Sequence, residues 1–192
     1  VVPYIIGMGY HQAIAEQTSW SVIADNTELM VSFGGLRRSN TQVTYGGQGP
    51  HHTRDWMRRA ADNGVQFLNV SPVRDDIDPD FSPRWQPIRP GTDVALMLGL
   101  IHTLVQDGLA DLDFLNTRCH GWERLDAYLS GAADGVVRSA GWAAGITGLD
   151  DASIGALAHE MSSKRTLLNL SLSVQRAHHG EQPYWSAFAL AA

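Results

Sequence analysis

Three short apolar runs constrain this chain most. Leu29-Met30-Val31-Ser32-Phe33, Val65-Gln66-Phe67-Leu68-Asn69-Val70 and Thr166 to Leu172 are each of strand length and rich in branched or aromatic residues. Each stops at turn residues: Gly34-Gly35, Ser71-Pro72 and Ser173. Helix-patterned stretches separate them. Thr53 to Asn63 reads as a helix ended by Gly64, which can take the left-handed backbone that closes a helix. Strands that alternate with helices pair in parallel, because a parallel return needs a long crossover. The chain has 192 residues, 44% hydrophobic and 18% charged, enough for one α/β domain with a sizeable core. The expectation is a mostly parallel sheet with helices on both faces.

The second constraint is Arg89-Pro90-Gly91-Thr92-Asp93 and the helix it opens. Val94, Met97, Leu98, Ile101, Leu104 and Val105 recur at the spacing of one buried helical face. Pro90 cannot continue a preceding helix, and Gly91 lets the backbone bend into the next one. Thr92 or Asp93 can cap the first turn. The mouth of such a helix offers bare N–H donors and a fixed carboxylate.

Elsewhere, a short helix is expected from Thr18 or Ser19 to Asp25, and a loop over Leu36 to Pro50. Residues 75–84 are acidic and Pro-rich, hence an exposed loop. Trp85 to Ile88 is a weak strand that Pro87 confines to an edge. Further helices are expected near 111–118, 122–129 and 139–145. Another is capped by Asp150 or Asp151, with Ile154, Leu157, Ala158 and Met161 on one face, and a last one starts at Gln182.

In a parallel sheet, ligands sit beyond the carboxyl ends of the strands. That rim comprises loops 34–41, 70–75, 89–93 and 172–179, where Arg37, Arg38, Ser39, Ser71, Arg74, Asp93, Ser173 and Arg176 gather. Arginines and hydroxyls suit phosphate, and a carboxylate suits the donor edge of guanine. The net charge of −6 argues against a nucleic-acid surface, and no apolar run reaches a membrane span. Cys119 stands alone, so no internal disulfide forms. His51-His52, Cys119-His120 and His178-His179 lack a second ligand pair at zinc spacing. No nucleophile elbow and no dinucleotide glycine fingerprint is present. The sequence itself assigns no catalytic residue and no metal ligand.

Residues 89–99, Arg-Pro-Gly-Thr-Asp-Val-Ala-Leu-Met-Leu-Gly, resemble the nucleotide-binding segment of the molybdopterin oxidoreductases. Glu16-Gln17-Thr18-Ser19-Trp20, Trp142-Ala143-Ala144 with Ile146-Thr147-Gly148, and Gln175-Arg176-Ala177-His178-His179-Gly180-Glu181-Gln182 narrow the likeness. They resemble the dimethyl sulfoxide, trimethylamine N-oxide and biotin sulfoxide reductase branch of the dimethyl sulfoxide reductase family. The matches run in order from residue 16 to the end.

That resemblance implies a Rossmann-like three-layer α/β domain over residues 1–192, a fragment of a larger multidomain enzyme. It implies a molybdenum-bis(molybdopterin guanine dinucleotide) cofactor, with this segment holding the guanosine and phosphate part of one dinucleotide. Arg38 and Ser39 fall on the loop after the first core strand, and Val70 and Ser71 at the end of the second. Gly91, Thr92 and Asp93 fall on the guanosine cradle, with Asp93 on the guanine edge. Leu172, Ser173 and Arg176 fall on the last rim loop, near pterin and phosphate. The implied partners are the remaining domains of the polypeptide, a small S-oxide or N-oxide substrate and an electron-donor protein. The implied molybdenum-binding serine precedes this segment. A chain that starts in an apolar run without Met and stops inside a helical pattern fits an excised piece. The family usually has an acid where Ser71 stands, Gly-Trp at Ser171-Leu172, Trp-Gly at Ser32-Phe33, and Asp-Pro or Asn-Pro at Gly35-Leu36. These departures keep a second reading open, a stand-alone nucleotide-binding or scaffold module without catalysis. Periplasmic and cytoplasmic locations are both compatible.

Overall fold

A computed structural model describes residues 2–44, 47–48 and 51–192. The fold is α/β, and its chain divides into two compact units, Val1–Pro87 with Lys164–Tyr184, and Ile88–Ser163 with Trp185–Ala192.

The first unit carries the sheet. Its strands are β1 (Leu29–Phe33), β4 (Gln66–Val70), β5 (Arg84–Gln86) and β6 (Thr166–Leu170), in the order β5-β4-β1-β6. A small antiparallel ladder of β2 (Val43–Thr44) and β3 (Gly47–Gln48) stands apart. All four strands of the main sheet pair in parallel, so the sheet is wholly and not just mostly parallel. All five residues of β1 are buried, as a central strand covered on both faces must be. Met30 pairs in register with Phe67 and Leu167. This row packs with Ala24 of α3 (Trp20–Asn26) and with Met57 and Ala60 of α4 (Thr53–Asp62). Two further helices, α1 (Val2–Ile6) and α2 (Tyr10–Ala15), precede these. The chain steps outward from β1 to β4 to β5 and returns to pair β6 on the other side of β1. The order therefore reverses between β1 and β6, which makes the ends of these two strands the topological switch point.

Several boundaries differ from the sequence expectation for identifiable reasons. β6 ends at Leu170, because the Ser171 hydroxyl accepts from the Ser173 N–H at 3.3 Å and draws the chain into a 3-10 turn, Leu172–Gln175. Residues 75–84 are not simply exposed: Ile77 is 0% and Phe81 7% exposed, folded into the core by two short 3-10 turns. The stretch 36–50 contains a 3-10 turn, Arg38–Gln42, and the small ladder, while 45, 46, 49 and 50 lie outside the described residues. Ser19 is the N-cap residue of α3, but its hydroxyl pairs with that of Ser21 at 3.0 Å rather than with the backbone.

The second unit is helical: α5 (Asp93–Gln106), α6 (Leu112–Arg118), α7 (Trp122–Leu129), α8 (Ala140–Thr147) and α9 (Asp151–Ser163), joined by the end of α10 (Gln182–Ala191). α5 packs on α8 and α9. Its residues Ala95 to Ile101 are all buried, whereas Val94, Leu104 and Val105 are half-buried. A helix apolar on every side is an interior helix, so the expected single face understates its burial. Asp150 caps α9, accepting from the Ser153 N–H at 2.8 Å, and Ile154, Leu157, Ala158 and Met161 form its buried face. Among the described residues no helix is long and apolar enough to cross a membrane.

Candidate functional site

The predicted site residues fall into two groups, one in each unit. The first lines the carboxyl ends of β4, β1 and β6. Gly34 and Gly35 leave β1 with φ of 75° and 74°, a backbone that only glycine takes without strain. Space demands glycine there as well. A Cβ on Gly34 would lie 2.9 Å from Val174 Cγ1, and one on Gly35 2.4 Å from Asp76 Cβ. The loop after β1 is thus pressed between the loops after β6 and β4.

Asp76 ties the β1 and β4 loops together. Its carbonyl accepts from the Leu36 N–H at 2.8 Å. Its Oδ1 accepts from Arg37 Nε at 2.9 Å and Nη2 at 2.5 Å, and its Oδ2 accepts from Ser71 Oγ at 2.5 Å. Ser71 Oγ in turn accepts from the Val73 N–H at 3.1 Å, and the Ser71 carbonyl accepts from Trp85 Nε1 at 2.8 Å. Ser71 and Val70 are fully buried, at 1% and 0% exposure. Asn69 adds bonds from Nδ2 to the carbonyls of Val73 and Arg74. A carboxylate therefore does stand at the end of β4, delivered beside Ser71 by Asp76. The Arg74 guanidinium lies over the Trp85 ring, 6.0 Å from its centroid. Arg38 and Ser39 sit exposed on the turn that follows. Beyond β6, Leu172, Ser173 and Arg176 are exposed. Ser173 Oγ donates to Ser171 Oγ at 2.9 Å, and the Arg176 N–H closes a turn onto the Ser173 carbonyl at 3.0 Å. Neither Arg38 nor Arg176 forms an ion pair among the described residues.

The second group is Gly91, Thr92 and Asp93, in the helical unit. Gly91 has φ of 73° and open space where a Cβ would stand. Thr92 is the N-cap residue of α5 without a side-chain capping bond, since its hydroxyl donates to the Arg89 carbonyl at 2.7 Å. Asp93 does not act as the expected cap either. It occupies the first helical position, is 8% exposed, and its carboxylate meets no donor from another described residue. Burial pushes its pKa above the ordinary 3.8, opposed only by a bond to its own backbone N–H. Partial removal from water disfavours the ionised form of a carboxylate. The α5 N-terminus eases that cost by its dipole. The carboxylate thus keeps acceptor capacity for a donor from outside the chain.

Sequence reasoning put Arg37 on the rim but not its bond to Asp76, and missed Asp76, Asn69 and Trp85 as organisers. Their only local signal is an acidic residue a few positions beyond a strand.

No family model matches the chain. The biotin sulfoxide reductase of Cereibacter sphaeroides is 45% identical over 170 residues, 88% of this chain and 23% of the relative. The dimethyl sulfoxide/trimethylamine N-oxide reductase of the same organism is 36% identical over the whole chain, again 23% of the relative. The trimethylamine-N-oxide reductase of Haemophilus influenzae is 30% identical over 191 residues. Among solved structures, acetylene hydratase from Pelobacter acetylenicus superposes with a TM-score of 0.67 over 88% of this chain and 21% of its own, at 19% identity, a likeness of fold. The chain thus spans 23% of the length of these reductases. An in-order match of that strength, on an all-parallel sheet whose strand order reverses at the rim, places the chain in the dimethyl sulfoxide reductase family.

Proposed function

We propose that residues 1–192 form a binding domain for the guanosine and phosphate part of one molybdopterin guanine dinucleotide, in an enzyme that reduces an S-oxide or N-oxide by oxygen-atom transfer. Membership of the family implies a molybdenum cofactor with molybdopterin; the bis(dinucleotide) form and the guanine contact belong to this proposal. The observation that carries it is the Asp93 carboxylate, at the first position of α5, 8% exposed, raised in pKa by desolvation and bonded only to its own backbone N–H. Guanine presents two adjacent N–H donors on one edge, and a carboxylate presents two acceptors. Bidentate pairing would relieve the desolvation of Asp93 and reject adenine, whose edge offers an acceptor there. The open face of Gly91 lets a ligand approach the backbone closely.

The other predicted residues suit the remaining parts of such a ligand. Arg38, Ser39, Ser173 and Arg176 are exposed donors suited to phosphate and pterin oxygens. Val70 and Ser71 form the buried floor at the end of β4, and the exposed Leu172 offers apolar contact. When bound, molybdenum supplies the two-electron oxygen-atom chemistry; this chain binds and orients. The remaining domains and an electron-donor protein would complete the enzyme.

The test is metal and nucleotide analysis of the protein in its full length. Molybdenum together with guanine nucleotide, released as GMP on hydrolysis, is the expected result. A different nucleotide, or none in protein that retains molybdenum, would contradict the reading.

A further inference from the structure

The Arg89 side chain is spent inside the helical unit. Its Nη1 donates to the carbonyls of Gly145 at 2.9 Å and Ile146 at 3.1 Å, in the last turn of α8. Its backbone N–H donates to the Thr147 carbonyl at 2.9 Å. Its own carbonyl accepts from Thr92 Oγ1 at 2.7 Å and from the Thr92 N–H at 3.3 Å. Gly148, which ends α8 with φ of 82°, lies so close that a Cβ would sit 3.3 Å from Arg89 Nε. The last carbonyls of a helix lack intrahelical partners and carry partial negative charge, so a guanidinium meets both needs. The result is a short span clamped at both ends. Arg89 is fixed to α8, Thr92 is fixed back onto Arg89, and Asp93 follows at once in α5.

We infer that Arg89 is a positioning residue for ligand binding: by closing the C-terminus of α8 it fixes the 89–92 turn and hence the direction of the Asp93 carboxylate. This rests on the reading that Asp93 binds a ligand with adjacent N–H donors. It adds that α8 and the α8–α9 junction set the geometry of that contact. Lysine keeps a charge and a donor at this place, though without the planar fork. Glutamine is shorter and uncharged, and releases the turn.

The test is a double-mutant cycle in the protein at full length, comparing the wild type, Arg89→Gln, Asp93→Asn and the double variant. The readouts are bound guanine nucleotide after exhaustive dialysis and melting of the cofactor-free protein. Arg89→Gln is expected to speed cofactor loss about tenfold. The double variant should lose cofactor no faster than Asp93→Asn alone, since residues acting through one contact are not additive. Arg89→Lys should recover most of the retention. Effects that multiply in the double variant, or unchanged retention in Arg89→Gln when Asp93→Asn loses cofactor, would overturn the inference. Full retention in Asp93→Asn would instead overturn the reading on which it rests. Should Arg89→Gln fail to fold, Thr92→Val, which removes the hydroxyl bond to Arg89, takes its place in the same cycle, with a smaller loss expected and the same rule deciding.

Discussion

Asp134 and Asp93 show how one residue type takes opposite roles. Asp134 binds both terminal nitrogens of Arg138, each at 2.5 Å, and accepts from the Val136 N–H at 3.1 Å. The guanidinium first, and the backbone donor second, hold its pKa down to about 2. Arg138 is itself buried, its guanidinium 3.6 Å from the Tyr128 ring centroid and 5.9 Å from that of Trp142. A depressed carboxylate adds stability above its ordinary pKa of 3.8, and that stability is lost as pH falls through about 2. Urea midpoints followed across that window should fall less steeply in Asp134→Asn than in the wild type; identical slopes would count against the pair. Asp93 has the reverse sign. Its pKa is raised, so the folded chain takes up a proton more readily than the unfolded one, and stability declines as pH rises past 3.8. On the proposed function, the donors of a bound ligand offset the desolvation that raises it.

At the scale of elements, period and punctuation in the sequence carried most of the fold. β1, α5 and the buried face of α9 lie where the apolar spacing places them, because each pattern is long or cleanly bounded. Burial of Ile77 and Phe81 was not legible, since both sit among acids and prolines that locally read as a solvated loop. The Asp76 latch was equally hidden. Its partners Arg37 and Leu36 are some forty residues away in sequence, and only strand pairing brings them together. Glycines in helices separate in the same way. A Cβ on Gly99 of α5 would lie 2.6 Å from the Ala143 Cβ of α8, so the two helices approach closely there. Gly155 of α9 meets nothing within 4 Å. Gly155→Ala should stabilise by about 0.5–1 kcal/mol through helix propensity. Gly99→Ala gains the same propensity but must push α8 aside, an overpacking cost of about 1–3 kcal/mol. Denaturant unfolding should therefore show opposite signs for the two variants, and a stabilising Gly99→Ala would show that α5 and α8 are not so closely packed.

At the scale of the whole molecule, the chain is 23% of the length of the relatives it matches. On the proposed function, most of the ligand's contacts lie in other parts of the enzyme. The 192-residue chain alone should then bind GMP weakly. Isothermal titration that found tight binding would mean that this segment forms the nucleotide site unaided. The most direct test concerns the buried carboxylate itself. Asp93→Asn keeps the shape of the side chain but turns one acceptor into a donor, which would face a guanine N–H. Losing a charged hydrogen bond in a desolvated place costs about 1.5–3 kcal/mol, or about tenfold or more in affinity. The measurement is guanine nucleotide bound per protein in the full-length Asp93→Asn variant, with the melting temperature of its cofactor-free form. The account predicts loss of nucleotide from a protein that melts at the wild-type temperature or above it. Full nucleotide retention would contradict it.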